Sequence, residues 1–529
     1  MTPVPPAPTE RAALIGRLAA LGEVDLAVIG GGATGLGVAL DAAVRGFSVV
    51  LLEAHDFAKG TSSRATKLVH GGVRYLAQGD LPLVREALRE RAALLRNAPH
   101  LAGPVAFVMP AYRWWEASYY GLGLSVYDRL AGRAGLGRTR RLDRAQTLAE
   151  LPGARADGLR GGVLYWDGQF EDARLALAIA RTAAARGALL LNHVGVVGLL
   201  HEAGRVAGVL AEDRETGARH EVRARAVVNA TGVWVDEIRA HAGGASGRRI
   251  EPLVTPSQGV HLVVDRAFLP GERALLVPST EDGRVLFAVP WLGRTVLGTT
   301  DTPRGDASFE PRPFAEEVDF VLREAGRYLA RAPRREDVTS AWVGLRPLVR
   351  PVGGSGETKR ISREHTVEVD ASGLVTVTGG KWTTYRAMAE DVLARCADAG
   401  LIARRPAGGT VRLPLVGSTA STPDARPLAD PPGLHLYGDE ADAVRALPGA
   451  DAMLGGGLTE AMVRFAARHE YARTVEDVLA RRSRLLFLDA ALAASLAPRV
   501  GAILLEETGR DPATDAFVAL AREYGTLPG

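Results

Sequence analysis

Cysteine is nearly absent: the 529 residues hold one, Cys396. Such a chain closes no intramolecular disulfide and contains no Cys-x-x-Cys pair, so it fits a reducing compartment and excludes a disulfide scaffold. Lysine is scarce as well. Lys59, Lys67, Lys359 and Lys381 stand among 64 basic residues, which makes a lysine inside a motif conspicuous. No apolar run reaches the roughly 18 residues of a spanning helix. The N-terminus "MTPVPPAPTERAALIGRLAALGE" lacks the basic start and apolar stretch of a signal peptide and reads as a loose tail followed by a surface helix. One cysteine and eleven scattered histidines form no HxxxH or HExxH, so no metal site is expected. A GxSxG nucleophile elbow is also missing. The net charge of +3 and pI near 9.0 fall well short of a nucleic-acid-binding tail. They suit an anionic small molecule or an anionic membrane surface.

The first strong motif is "DLAVIGGGATGLGVALDAAVRGFSVVLLEA" at 25–54. An apolar strand runs into a glycine turn, a helix and a second strand. Gly30, Gly32 and Gly35 match G-x-G-x-x-G, and Glu53 ends the second strand where an acid holds a ribose hydroxyl. The reading is dinucleotide binding, with Ala33 and Thr34 in the loop. A second signal is "GGKWTTYR" at 379–386. It follows the β-branched "LVTVT" and precedes the helical "AMAEDVLARCADAG", which Gly400 closes. The run therefore joins a strand to a helix N-terminus, where unpartnered N–H groups attract negative charge.

The fold class expected is α/β, α+β overall. A nicotinamide domain continues with further βαβ units, whereas here "VVNATG" and "TVTGGKWTTYR" arrive from distant parts of the chain. A cofactor domain assembled this way fits FAD, with Gly380–Thr384 toward the flavin pyrimidine. Helix "DARLALAIARTAAARG" and strand "ALLLNHVGVVGLL" precede "ARAVVNATG". Residues 254–302 alternate apolar and polar, with "TEDGR" as a dividing turn, and read as an antiparallel sheet. Residues 403–434, rich in Pro, Gly, Ser and Thr, read as a linker, and 435–529 as an all-α domain.

"TSSRATKLVHGGVRYL" (61–76), "NATGVWVDEI" (229–238), "VPWLGRTVLGTTDTP" (289–303), "VGLRPLVRP" (343–351), "ISREHTVEV" (361–369), "GGKWTTYR" and "RHEYARTVEDVLARRSRL" (468–485) occur in one order. Together they resemble the FAD-dependent, quinone-linked respiratory glycerol-3-phosphate dehydrogenase family, over about residues 24 to 510. The resemblance implies a glutathione-reductase-like FAD domain from segments 24–75, 155–245 and 341–402, with a tail and helix (1–23) ahead of it. It also implies an antiparallel-sheet substrate domain from 76–154 and 246–340, and a helical C-terminal domain. It implies oxidation of sn-glycerol 3-phosphate to dihydroxyacetone phosphate by hydride transfer from C2 to flavin N5. Electrons then pass to quinone at a membrane surface, the inner face of the plasma membrane, and a homodimer is compatible. Substrate contacts carried over fall on Arg74, Tyr75, His261, Arg346, Arg363, Lys381 and Thr384. FAD contacts fall on the glycine loop, Glu53, Thr61, Ser62, Ser63, Lys67, Leu68, His70 and Gly71, on Thr231 and Gly232, and on Gly379, Gly380, Lys381, Trp382 and Thr383. Residues 400–460 match poorly and carry nothing over.

The chemistry is coherent with this. A phosphate needs two or more cations, and the planar fork of arginine binds two oxygens at once. For any one arginine in so arginine-rich a chain, a solvated surface position is the default reading; Arg74 and Arg346 depart from it because each sits in an apolar segment. The hydroxyl proton needs a base. His70 and His261 are the candidates, with His70 favoured and Lys381 steadying an oxygen. The segment 111–145 clusters Trp114, Trp115, Tyr119, Tyr120 and Tyr127 ahead of several arginines. That is the composition of an interfacial segment or of a buried aromatic helix beside a basic loop. The rival functions are an oxidase that passes electrons to oxygen, an amine or amino-acid oxidase of the same fold, and a flavin-binding module without turnover.

Overall fold

In the computed structural model the described residues are 9–72, 80–244, 251–350, 365–418 and 426–529. Arg74, Tyr75 and Arg363 lie outside them. Two large sheets organise the chain. In the first, strands run in the order His365–Val369, Val375–Gly379, Arg219–Asn229, Val24–Ile29, Val49–Leu52, Leu189–Leu191. The four central pairings from Val375–Gly379 to Leu189–Leu191 are parallel, and every residue of Val49–Leu52 and Leu189–Leu191 is buried, as parallel strands covered on both faces require. Helices Ala33–Val44, Asp172–Ala185 and Tyr385–Asp398 pack against it and against one another through alanine-rich faces. Cys396 sits buried in the last of these, its thiol pushed up to about 12 by burial.

The second sheet has ten strands and is largely antiparallel, with Val254–Asp265 paired to Arg294–Gly298 and to Val338–Val349. The turn at 280–284 joins Ala274–Val277 to Leu286–Trp291, Thr280 N–H donating to Arg284 O at 2.8 Å. Sheet membership departs from the expected segments in two places. Gly161–Phe170 pairs with Ala102–Ala111, and Val338–Val349 with Val254–Asp265. Both were expected in the cofactor domain, and both belong to the second sheet. The long strands continue past the domain boundary because their partners do. The expected strand "ALLLNHVGVVGLL" is also two strands. His193 adopts φ 52, and this left-handed turn takes the chain out of the parallel sheet into the hairpin Val194–Glu202 and Arg205–Asp213.

The described parts of the expected linker are packed against the rest of the chain. Leu415 N–H donates to Asn97 O, Leu292 N–H donates to Leu428 O, and Leu413, Leu415 and Leu428 are buried. Helices Glu460–His469, Ala490–Thr508 and Thr514–Gly525 dominate the C-terminal domain, which was expected to be all-α but also carries a short antiparallel pair, Met453–Gly455 with Leu458–Thr459. The aromatic segment splits between its two readings. Tyr127 is buried at 1%, whereas Trp114 is 82%, Tyr119 68% and Leu122 67% exposed on or beside helix Glu116–Ala131. Among the described residues no helix is long and apolar enough to cross a membrane.

Candidate functional site

A cleft opens at the C-terminal ends of the parallel strands, the position where a doubly wound sheet takes its ligand. Most of its lining comes from four separate parts of the chain: the loop after Val24–Ile29, the loop 53–62, the turn 230–232 and the turn 379–382. Two glycines are required by close approach. A Cβ on Gly35 would lie 2.0 Å from Gly30 O, and one on Gly30 (φ 105) would meet Ala230 O at 2.7 Å. Only glycine lets the helix start this close to the strand it follows. Helix Ala33–Val44 begins at Gly32 with no side-chain cap and no acid in its first turn, so its positive end is turned toward the cleft. Ala33 N–H donates to Ser62 Oγ at 2.9 Å.

Glu53 lines the cleft and holds the loop. Its Oε2 accepts from Gly31 N–H at 2.6 Å and its Oε1 from His55 N–H at 2.8 Å. Burial raises its pKa above the ordinary carboxyl value, against these two bonds. Each oxygen retains a lone pair for a hydroxyl donor. On the opposite wall Gly379 (φ 78) and Gly380 (φ 71) turn the chain out of strand Val375–Gly379. Trp382 Nε1 donates to Ser62 O at 2.8 Å and ties this turn to the loop 53–62. The turn opens helix Tyr385–Asp398, closed by Gly400 in the left-handed region, as "GGKWTTYR" suggested.

Of the expected cofactor contacts, Gly30, Gly32, Ala33, Thr34, Glu53, Thr61, Ser62, Thr231, Gly232, Gly379, Gly380, Lys381 and Trp382 line the cleft. Gly35 stands behind the loop. Ser63, Lys67, Leu68, His70, Gly71 and Thr383 are not among the lining residues. For Lys67 the reason is visible: its ammonium is fully buried, 2.7 Å from Asp172 Oδ2 and 2.8 Å from Ser63 O, over the Trp291 ring at 4.9 Å. Burial and Arg484 lower its pKa to about 7, against the pull of Asp172. Thr384 is buried in its own turn, its hydroxyl donating to Lys381 O. The sequence reading missed His55, Lys59, Arg214, Trp234 and Glu237, which also line the cleft. Trp234 and Glu237 lie in the motif "NATGVWVDEI" but were given no contact there, and His55, Lys59 and Arg214 lie in no quoted motif. Arg214 is brought in by the hairpin of Val194–Glu202 and Arg205–Asp213; hairpin-like segments were legible in this region, but not that their end reaches the cleft.

Where the second sheet meets the cleft, Pro347 lines it and Arg346 is the preceding residue. Arg346 lies opposite Ser257 in the strand pairing. It is 26% exposed and makes long contacts, 3.4 Å to Asp301 Oδ1 and 3.3 Å to Thr299 Oγ1. His261, in the same sheet, is stacked on Trp342 and has its Nε2 2.9 Å from Thr66 Oγ1. Burial, then the nearby Lys67 and Arg346 cations, push its pKa well below the usual histidine value. His70 is half-buried, and its carbonyl accepts from Thr383 Oγ1 at 3.5 Å, which sets it beside the 379–384 turn.

The FAD-dependent oxidoreductase family model matches residues 25–395, and the family model described as the C-terminal domain of alpha-glycerophosphate oxidase matches 433–515. The mitochondrial glycerol-3-phosphate dehydrogenase of Bos taurus is 40% identical over 96% of this chain and 74% of its own length. That of Arabidopsis thaliana is 40% identical over 95% of this chain and 86% of its own. The crystal structure of glycerol-3-phosphate dehydrogenase from Bacillus halodurans, complexed with FAD, superposes with a TM-score of 0.77 at 30% identity, covering 98% of each chain. The chain takes FAD as its cofactor. The uncapped helix start, the ribose-side acid and the glycine turns at 232 and 379–380 fit a dinucleotide laid across the strand ends.

Proposed function

We propose, for a chain that belongs to the FAD-dependent glycerol-3-phosphate dehydrogenase family, that it oxidises sn-glycerol 3-phosphate to dihydroxyacetone phosphate and delivers the electrons to a quinone at a membrane surface. The observation that carries the substrate reading is Arg346. It is a partly exposed cation one residue from the cleft wall, placed by a strand that belongs to both the second sheet and the cleft rim. A guanidinium in that position grips a phosphate through two oxygens.

Bound FAD supplies the two-electron acceptor. The chain supplies the remainder. Arg346 anchors the phosphate, and Lys381, at the mouth of the 379–384 turn, steadies the C2 oxygen as charge develops on it. His70 takes the hydroxyl proton. His261 is the weaker base, because burial and two neighbouring cations disfavour its imidazolium; it positions Thr66 and packs Trp342 instead. Arg74, Tyr75 and Arg363 keep the substrate role that the family resemblance gives them. The membrane reading is supported by helix Glu116–Ala131, whose exposed Trp114, Tyr119 and Leu122 are bordered by exposed Arg113, Arg129, Arg141 and Arg144.

The test is anaerobic. Glycerol 3-phosphate added to the purified holoprotein should bleach the flavin band, and a quinone should restore it faster than oxygen does. Faster recovery with oxygen and release of peroxide would make it an oxidase, and no bleaching would remove the substrate assignment. Arg346→Ala should raise the KM for glycerol 3-phosphate by about 10–100-fold, the worth of a charged hydrogen bond, with flavin still bound.

A further inference from the structure

The C-terminal helical domain meets the cofactor domain through a sealed layer of ion pairs, and one part of that layer grips the cleft wall. Asp56, three residues after Glu53, is fully buried. Its Oδ2 accepts from Arg481 Nε and Arg482 Nη1, and its Oδ1 from Arg482 Nη2 at 3.0 Å and Asn192 Nδ2 at 3.0 Å. Arg481 also reaches Glu476 and Asp477, each at 2.8 Å. Glu476 holds Lys59, a cleft-lining residue, at 2.8 Å. At the other end of the same loop, Arg484 Nη2 donates to Ser63 O at 2.6 Å, while Nε meets Glu171 Oε1 at 2.8 Å. The segment 476–484 thus holds the loop 54–63 near its start, at its middle and at its end. That loop supplies His55, Lys59, Thr61 and Ser62 to the cleft.

The local backbone is shaped for this. Asp477–Arg482 is a π-helical turn, with Ser483 N–H donating to Val478 O across five residues at 2.9 Å. The wider turn lets consecutive arginines, 481 and 482, converge on one carboxylate. Such turns inserted in helices concentrate at functional sites. Arg484 adopts φ 67, the left-handed region that side chains disfavour, and so doubles back to Ser63 and Glu171. Asp56 and Asp477 with His193 bring ligand atoms within 4.8 Å of one another, but the arginines already occupy both carboxylates, so the group acts as an ion-pair hub.

We infer that Arg481, Arg482 and Arg484 are positioning residues for the cofactor: the C-terminal domain clamps the loop 54–63 in the shape that retains FAD. This requires only that the cleft holds FAD and is independent of the substrate. Breaking Asp56–Arg482 should release FAD, whereas breaking a less deeply buried pair of the same layer that does not touch the loop should not. Arg181–Glu440 is that control; it joins helix Asp172–Ala185 to the turn at 434–440.

The experiment measures FAD release from holoprotein by the rise of free-flavin fluorescence, with the visible flavin band and the thermal midpoint recorded alongside. Asp56→Asn and Arg482→Gln should each release FAD at least about tenfold faster than the native chain, the loss of a charged hydrogen bond, with broadening of the visible band. Arg181→Gln should lower the midpoint and leave the release rate unchanged. Native release rates for Asp56→Asn and Arg482→Gln, or rates that track the midpoint identically in all three variants, overturn the inference. Should the first two fail to accumulate as folded protein, Glu476→Gln, which loosens the Lys59 attachment and one Arg481 bond while leaving Asp56 paired, decides. Release from that variant faster than its fall in midpoint accounts for, judged against Arg181→Gln, supports the clamp, and unchanged release overturns it.

Discussion

Arginines gather in two regions of this molecule, and the two use them in opposite ways. Around helix Glu116–Ala131 they are exposed, beside Trp114 and Tyr119. Along the face of the C-terminal domain, Arg174, Arg481, Arg482 and Arg484 are buried, each against a carboxylate. In the first region charge costs little, because water solvates it. In the second, desolvation is severe, and only complete pairing makes the layer tolerable. A buried layer of this kind contributes less to stability than to fixing one arrangement, because its carboxylates are shared among several cations that must all be in place at once.

The comparison can be broken most sharply at Arg484. Arg484→Met strands Glu171 in a space sealed from water, leaving Asp172 to Lys67 alone, and should cost about 3–5 kcal/mol, read as a lower midpoint in urea unfolding. A loss under about 1 kcal/mol would show that the layer is wet. Acid should separate the regions next. Burial works to raise the pKa of Glu476, but Arg481 and Lys59 outweigh it and hold it at about 2, below the ordinary 4.5. A carboxyl depressed on folding lends stability that is whole above the unfolded value and lost as pH falls through the folded one. Stability should therefore decline from pH 4.5 toward 2, and Glu476→Gln should flatten that decline; an unaltered slope would contradict the pairing.

The aromatic helix should respond in function only. Trp114→Ser with Leu122→Ser should abolish flotation with anionic vesicles and leave the midpoint within about 0.5 kcal/mol of native, as exposed positions do. Retained flotation would move the membrane contact elsewhere. The smallest effect belongs to Arg140, whose bond to Glu150 is 2.8 Å long but more than half exposed on the arginine side. Arg140→Gln should cost under about 1 kcal/mol by the same unfolding measurement.

The cofactor cleft was legible in the sequence because it is made of backbone. Gly30, Gly35 and the pair 379–380 are demanded by positive φ or by contact distances that any side chain violates, and such demands mark the sequence directly. The buried layer was not legible. Nothing local distinguishes Arg482 from an exposed arginine, because its partner Asp56 is more than 400 residues away in the chain. The default reading of an arginine as solvated failed there for that reason. The motif "RHEYARTVEDVLARRSRL" stood out by resemblance, yet its π turn and left-handed Arg484 are features of backbone geometry that residue type does not encode. Lys67 shows the same limit: its motif placed it near the cofactor, and its side chain turns to Asp172.

Most of the lining of the cleft comes from residues 30–34, 53–62, 230–232 and 379–382, so their order of synthesis matters. A ribosome delivers the glycine loop early, but the opposite wall appears only after most of the polypeptide has emerged, and the clasp at 476–484 follows later still. The nascent chain must carry an unfinished sheet edge through much of its translation. Flavin can settle only near the end of that passage, which ties pigmentation of the product to completion of the chain.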